Sequence, residues 1–514
     1  MGILIVVLLS LGGLLACGPG LPDIHPLPGA GTARLQPIYD VSVRYPSLEI
    51  IVSGLSYRGL DLDVEMAFDE STLQDGDPSF EARARVLSVS AGGVPQAFEA
   101  PQAIGVSGSY DDGHIATGFF GPIRVGNAGL LIDLEGTTQD GPRRLTGAAT
   151  LYGFPDQGTF AAVKRRRYLV AGSDLQAEIG KVAVVTVRYD AEITIENDVE
   201  ITSSDAIARV EDGRPFIVNR FTYDNVQGLD PLGPLKTTFE YSTENLSNPL
   251  DLVIPPPGAV GDPGTAFVTR YGAAFGDVAV LDLKSGTVID RIDLKPYARN
   301  RNGYPRPDQA LLHDGLIYVT LQDADATFTE FMNGRVVIID PVLRQVIQVI
   351  DLLGQNPFEA LTYAPSTGLI YVGLAGLFPT TSRPATLSGG IETIDPVTRT
   401  DRGVLVDDDA LGGNVSGVAI HSATRGYCLV SDASFHNFVK VFDPQTGEVR
   451  ETIFDSASLV SSIELDGDGY LLVADSSFFE PRVLIFNAET GALVAALPAR
   501  LPPFSFAILT RSLP

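Results

Sequence analysis

Short apolar runs, cut by Gly, Pro, Asp and Asn, fill most of this chain. One unit shows the pattern most clearly. It opens with Phe358-Glu359-Ala360-Leu361-Thr362-Tyr363, turns at Ala364-Pro365-Ser366-Thr367-Gly368, and continues as Leu369-Ile370-Tyr371-Val372-Gly373. A long loop leads to Gly390-Ile391-Glu392-Thr393-Ile394 and Asp395-Pro396. Runs this short, rich in β-branched and aromatic residues, predict strands rather than helices. The second run recurs around Val170, Val218, Val268, Val319, Val372, Val430 and Val473, roughly fifty residues apart. Four short strands repeated at that period predict a β-propeller. A first run precedes each second run except the one at Tyr168. Its counterpart stands at the far end, where Pro503-Phe504-Ser505-Phe506-Ala507 matches Pro357-Phe358-Glu359-Ala360-Leu361. An unpaired strand edge invites association, so the displaced run predicts a seven-bladed ring over 168–514 closed by the C-terminal strand. Asp or Asn at 282, 340, 395, 443 and 487 is expected to open hairpin turns by bonding its own backbone.

Residues 38–167 read differently. Candidate strands cover 48–55, 60–68, 80–89, 115–120, 130–135, 144–151 and 158–163. Leu60-Asp61-Leu62-Asp63-Val64-Glu65-Met66 alternates strictly. One wet and one dry face predicts a small antiparallel β-sandwich or barrel domain. Residues 17–37 are rich in Pro and Gly and read as a tether. Residues 1–16 are nearly all apolar and uncharged, with the length of a signal-peptide core.

Leu14-Leu15-Ala16-Cys17 resembles the lipobox of bacterial lipoproteins. The resemblance implies cleavage before Cys17, its acylation with chains such as palmitate, and a membrane anchor. Gly18 in place of Asp points, within that family, to the outer membrane. The repeats in turn resemble YVTN-type seven-bladed propellers of microbial envelope proteins, through Ile317-Tyr318-Val319-Thr320, Ile370-Tyr371-Val372-Gly373, Ile338-Ile339-Asp340-Pro341 and Thr393-Ile394-Asp395-Pro396. That family spans surface-layer proteins, binding proteins and relatives of redox enzymes, so the resemblance implies a fold and an address rather than a reaction.

A formal net charge of -27 argues against a nucleic-acid partner, which needs a basic footprint. The basic run Lys164-Arg165-Arg166-Arg167 is expected at a hinge, its charges facing acidic propeller loops. Only two cysteines occur, and Cys428 lies in an apolar strand where an inert buried thiol is expected. The five histidines show no HExxH or HxH spacing, and no GxSxG or phosphate-loop motif is present. The loops after the second strands supply Arg220, Arg270, Asp323, Asp325, Asp432, His436 and Asp475 as candidate binding-face residues. Asp432 and Asp475 take equivalent places in the last two repeats. Such a pair would hold Ca²⁺ or work as acid and base, or each would merely bond nearby backbone. Asp407-Asp408-Asp409 and Asp466-Gly467-Asp468-Gly469 read as a solvated loop and a turn. The expected function is a membrane-anchored, non-catalytic scaffold without a cofactor, binding another envelope protein or a surface polymer. The alternative is a metal-dependent hydrolase or lactonase at the channel mouth. A redox subunit is a third, for which no ligand pattern is visible.

Overall fold

The computed structural model describes residues 38–509 except 53–54, 69–78, 101–103, 112–113, 119, 126–127, 140–143, 155–156, 190–192, 212, 221–222, 231–233, 256–263 and 380–383. The signal segment, the tether and Cys17 therefore lie outside the described residues. The chain divides into two compact units. One holds residues up to Arg167 with Thr186–Ile193, and the other holds Tyr168–Val185 with Thr194–Leu509.

In the first unit, antiparallel pairing runs in order through Ile38–Val52, Leu55–Phe68, Ser79–Ala91, Ile104–Asp111, His114–Thr117, Ala128–Gln139, Arg144–Leu151 and residues 157–165. The last pairs back onto the first, Ile38 opposite Arg165 and Arg44 opposite Thr159, so the sheet closes as a barrel. Closure leaves no free edge and separates an inside from an outside. Val41, Val43, Leu60, Leu62, Val64, Met66, Leu134 and Phe160 fill the inside. Of the two folds expected here, the pairing selects the barrel. Ile104–Asp111 is a strand that the hydrophobic pattern hid, because its Gly and Ser residues carry little strand signal. Within the basic run, Arg165 finds its partners close at hand. Arg165 bonds Glu65 at 2.6 Å and Asp40 at 3.1 Å, both on barrel strands, and Arg188 joins Asp40 at 3.4 Å. For Arg165, then, the counter-charges come from barrel strands.

The second unit is a β-propeller arrangement with six four-stranded antiparallel blades. Their first strands are Ala206–Glu211, Pro249–Val253, Pro307–His313, Pro357–Ala364, Asn414–Ser422 and Val460–Leu465, and we number the blades in that order. Their second strands are Arg214–Asn219, Thr265–Arg270, Leu316–Leu321, Leu369–Leu374, Arg425–Ser431 and Tyr470–Asp475. Val218, Val268, Val319, Val372, Val430 and Val473 sit in these second strands and are fully buried. Each apolar layer is shared by two neighbours: Ile207 and Val218 of blade one pack with Leu252 and Val268 of blade two. A fully buried valine contributes about 1.5–3 kcal/mol. The predicted turn residues behave alike, with Asp282, Asp340, Asp395, Asp443 and Asn487 accepting from the N–H two residues on at 2.8–3.0 Å. The C-terminal strand Pro503–Ile508 pairs antiparallel with Tyr168–Gly172, Ile508 opposite Tyr168.

Two acidic turns come out differently from each other. Asp466 is a turn residue as expected, accepting from Asp468 and Tyr470 N–H, and it also receives the Tyr168 hydroxyl at 2.6 Å. Asp407-Asp408-Asp409 is solvated only in part, with Asp407 and Asp409 exposed. Asp407 caps a single helical turn, Asp408–Leu411, and Asp408 is buried, accepting from Gly389 N–H at 2.8 Å.

Candidate binding site at the channel mouth

The first strands of blades two to six each carry a register break close to their start, at 249/251, 307/310, 357/361, 415/417 and 460/463. In three of them the break follows a strand-initial proline, which has no N–H for the ladder. The extra residue turns polar side chains out of the sheet. Asp251, Asp308, Gln309 and Glu359 are delivered this way, and Glu359 adopts a left-handed φ of 49°.

These side chains meet residues of other blades, both neighbouring and non-neighbouring. Arg209 of blade one donates to Asp251 of blade two at 2.5 Å and to Gln309 of blade three at 3.1 Å. Arg220, just past the second strand of blade one, is held by Asp205 and reaches Glu359 of blade four at 3.6 Å. Its guanidinium stands 5.2 Å from the centre of the Phe504 ring. Asp308 accepts from Gln322 at 2.6 Å, from Gln309 at 2.9 Å and from Glu359 N–H at 3.4 Å. Tyr271 of blade two donates its hydroxyl to Gln322 at 2.7 Å. Arg306 then lies near the rings of Tyr271, Tyr304 and Phe328, 4.7–5.1 Å from their centres. A polar network thus runs from Phe504 to Phe328 across blades one to four.

The network is rich in carboxyls that resist ionisation. Burial pushes Glu359 up to about 7, against the pull of Arg220, and raises Asp308 as well. Burial pushes Glu464 of blade six up to about 7, opposed by the charge of Arg209. The arrangement offers protonatable carboxyls, three arginines and aromatic edges, suited to recognising a polar or charged group.

Arg220 alone among the expected residues joins this network. Arg270 is fully buried in its own blade, donating to both Asp277 oxygens at 2.7 and 2.6 Å and pairing with Glu244. Asp323 accepts from Arg299 and Asn300 N–H at 2.9 and 3.0 Å. Asp325 accepts from Thr327, Thr329 and Glu330 and pairs with Arg301 at 2.6 Å; these bonds outweigh its burial and hold its carboxyl well below the usual range. Asp432 accepts from Ser434 and His436 N–H at 2.8 and 2.9 Å, closing its own turn. His436 lies beside Phe438 and 3.4 Å from Asp455. Asp475 is buried with one oxygen bound twice by Arg482, at 2.6 and 3.0 Å, while its other oxygen has no hydrogen-bond partner. Among the described residues no three His, Cys, Asp or Glu side chains group as metal ligands. Cys428 is fully buried, and burial pushes its thiol up to about 12.

Of the network residues not expected from the sequence, Arg209, Asp251, Asp308, Gln309 and Glu359 lie on first strands, while Tyr271, Arg306 and Gln322 flank strands. For the strands that open on proline a signal was present: Pro249-Leu250-Asp251, Pro307-Asp308-Gln309, Pro357-Phe358-Glu359 and Pro503-Phe504-Ser505 share a polar residue two places after proline.

No protein-family model and no curated protein matches the chain. Solved structures do. A hydrazine synthase structure from Kuenenia stuttgartiensis aligns over 58% of this chain and 87% of its own, at 14% identity and a TM-score of 0.43. Apo AztD from Citrobacter koseri aligns over 67% and 98%, at 12% identity and 0.41. A functionally unknown protein from Desulfotomaculum acetoxidans aligns over the same shares, at 14% identity and 0.45. Likeness at this level says nothing about activity.

Proposed function

We propose that this protein is a non-catalytic binding scaffold of the bacterial envelope, anchored to the outer membrane by lipidation of Cys17. The observation carrying the scaffold reading is the polar network that joins blades one to four. Its charged side chains already bond one another across blades one to four, which makes a rigid recognition surface rather than a set of free reactive groups. The partner would be another envelope protein or a surface polymer. We also propose that the ring has seven blades. Supporting this, Pro503–Ile508 pairs with Tyr168–Gly172 and packs against the first strands of both blade six and blade one. Ser505 Oγ accepts from Ala208 N–H of blade one at 2.8 Å, and Pro503 O accepts from Ser461 of blade six at 2.8 Å.

Crosslinking in intact cells tests the scaffold. A reproducible envelope partner crosslinked to the ring is the expected result, together with membrane association lost on Cys17→Ser. The unpartnered oxygen of Asp475 favours a second reading, a hydrolase using a metal held there. Native mass spectrometry separates the two. A stoichiometric divalent ion lost on Asp475→Ala would replace the scaffold reading with the enzymatic one.

A further inference from the structure

The loops after the second strands of blades three, five and six carry one short motif: Asp325-Ala326-Thr327-Phe328, Asp432-Ala433-Ser434-Phe435 and Asp475-Ser476-Ser477-Phe478, the last followed by Phe479. In the first two copies the aspartate folds the turn under itself. Asp325 accepts from Thr329 N–H at 2.8 Å, Asp432 from His436 N–H at 2.9 Å, and both phenylalanines donate their N–H back to the aspartate carbonyl. Phe328 and Phe435 are thereby held at φ 54° and 59°. That region is unfavourable for a bulky side chain and costs of order 1–3 kcal/mol. Little apolar burial is gained in return, with Phe328 42% and Phe435 52% exposed; Phe478 at 57% and Phe479 at 91% are exposed as well.

The blade-three copy shows what such a ring accepts. Phe328 carries the guanidinium of Arg306 4.7 Å from its centre, with the Tyr271 ring parallel to it at 6.2 Å. Among the described residues no arginine or lysine stands over Phe435, Phe478 or Phe479. Acidic side chains adjoin them: Asp455 lies 3.4 Å from His436, the neighbour of Phe435, and Glu480 follows Phe479, both exposed, while Arg482 is already bound to Asp475. We infer that the loops of blades five and six form a docking surface for a cationic polypeptide segment, whose arginine or lysine side chains stack on Phe435, Phe478 and Phe479 as Arg306 does on Phe328. Cation–π contacts recognise such heads, and the carboxylates around the rings supply the charge complementarity. The same negative field opposes an anionic bilayer. This inference rests on the scaffold reading and assigns it a partner chemistry.

The test titrates the full chain against labelled nona-arginine and nona-glutamate peptides, with neutral oligosaccharides and zwitterionic vesicles as further probes. Wild type is expected to bind nona-arginine, more weakly in high salt, and to ignore the others. The double variant Phe435→Ala/Phe479→Ala should lose about tenfold in affinity with its melting temperature preserved. Glu480→Gln should lose less and flatten the salt dependence. Nona-arginine binding that is absent, or that is unchanged in the double variant, overturns the inference. Preferential binding of the oligosaccharide or the vesicles overturns it too. A crosslinked partner seated on another part of the ring would sink this surface while leaving the scaffold reading in place.

Discussion

Glu359 is a carboxyl that keeps its proton up to about pH 7 when the protein is folded, against an ordinary value of 4.5. The folded state therefore binds that proton more tightly than the unfolded state does. The stability this contributes is fully present below pH 4.5 and is lost as pH rises through about 7. Glu464, with the same ordinary value, is pushed up in the same way to about 7, so the two act together. Unfolding by denaturant should show less stability at pH 8 than at pH 5. Glu359→Gln should remove about 1–3 kcal/mol of that difference. An equal slope in the variant would mean that Glu359 ionises normally. Arg270 poses the opposite case, a fully buried cation between Asp277 and Glu244. Arg270→Ala leaves the buried Asp277 charge unpaired and is expected to cost about 3–5 kcal/mol, read as a lower melting temperature. Adding Asp277→Ala should recover part of that loss. Both residues lie in stretches that look ordinary in sequence, because burial and counter-charge are set by neighbouring loops and blades.

At the level of single elements, much was legible in advance. The second strands follow from the fully buried valines at 218, 268, 319, 372, 430 and 473, and the hairpins follow from their Asp and Asn openers. Local bonding suffices for these features, and local bonding is written in neighbouring residues. Asp432 belongs to the same class. Asp432→Ala should speed amide exchange at Ser434 and His436 and cost about 1 kcal/mol, without unfolding the blade. Protection unchanged at those two amides would show that the turn stands without its aspartate. The register breaks were not legible. A break near the start of a first strand depends on what its partner strand offers opposite, and Pro307 or Pro357 alone reads simply as a strand start. For that reason Asp308 and Glu359 escaped a loop-by-loop search that did find Arg220.

For the whole molecule, the decisive strand is the last. If Pro503–Ile508 completes a seventh blade, deleting residues 501–514 removes the ladder to Tyr168–Gly172 together with the bonds from Ala208 and Ser461. Calorimetry should then show the cooperative transition of the propeller lowered and broadened, and proteolysis should cut within blade one or blade six. An unchanged transition would remove the seventh blade and the closure from the proposal. By itself the sequence determined the repeat, its period, the all-β class and the turn chemistry, since each rests on residues within a few positions of one another. It also showed the match between 503–507 and 357–361, a likeness that needs no coordinates. Only the tertiary structure decided that residues 38–165 form a barrel rather than a sandwich, because closure depends on the first strand meeting the last. It likewise decided that Arg220, Glu359, Asp308 and Tyr271 join one polar network. These lie in four blades and far apart in the chain, and no local pattern encodes which side chains the curvature of packed blades will bring together.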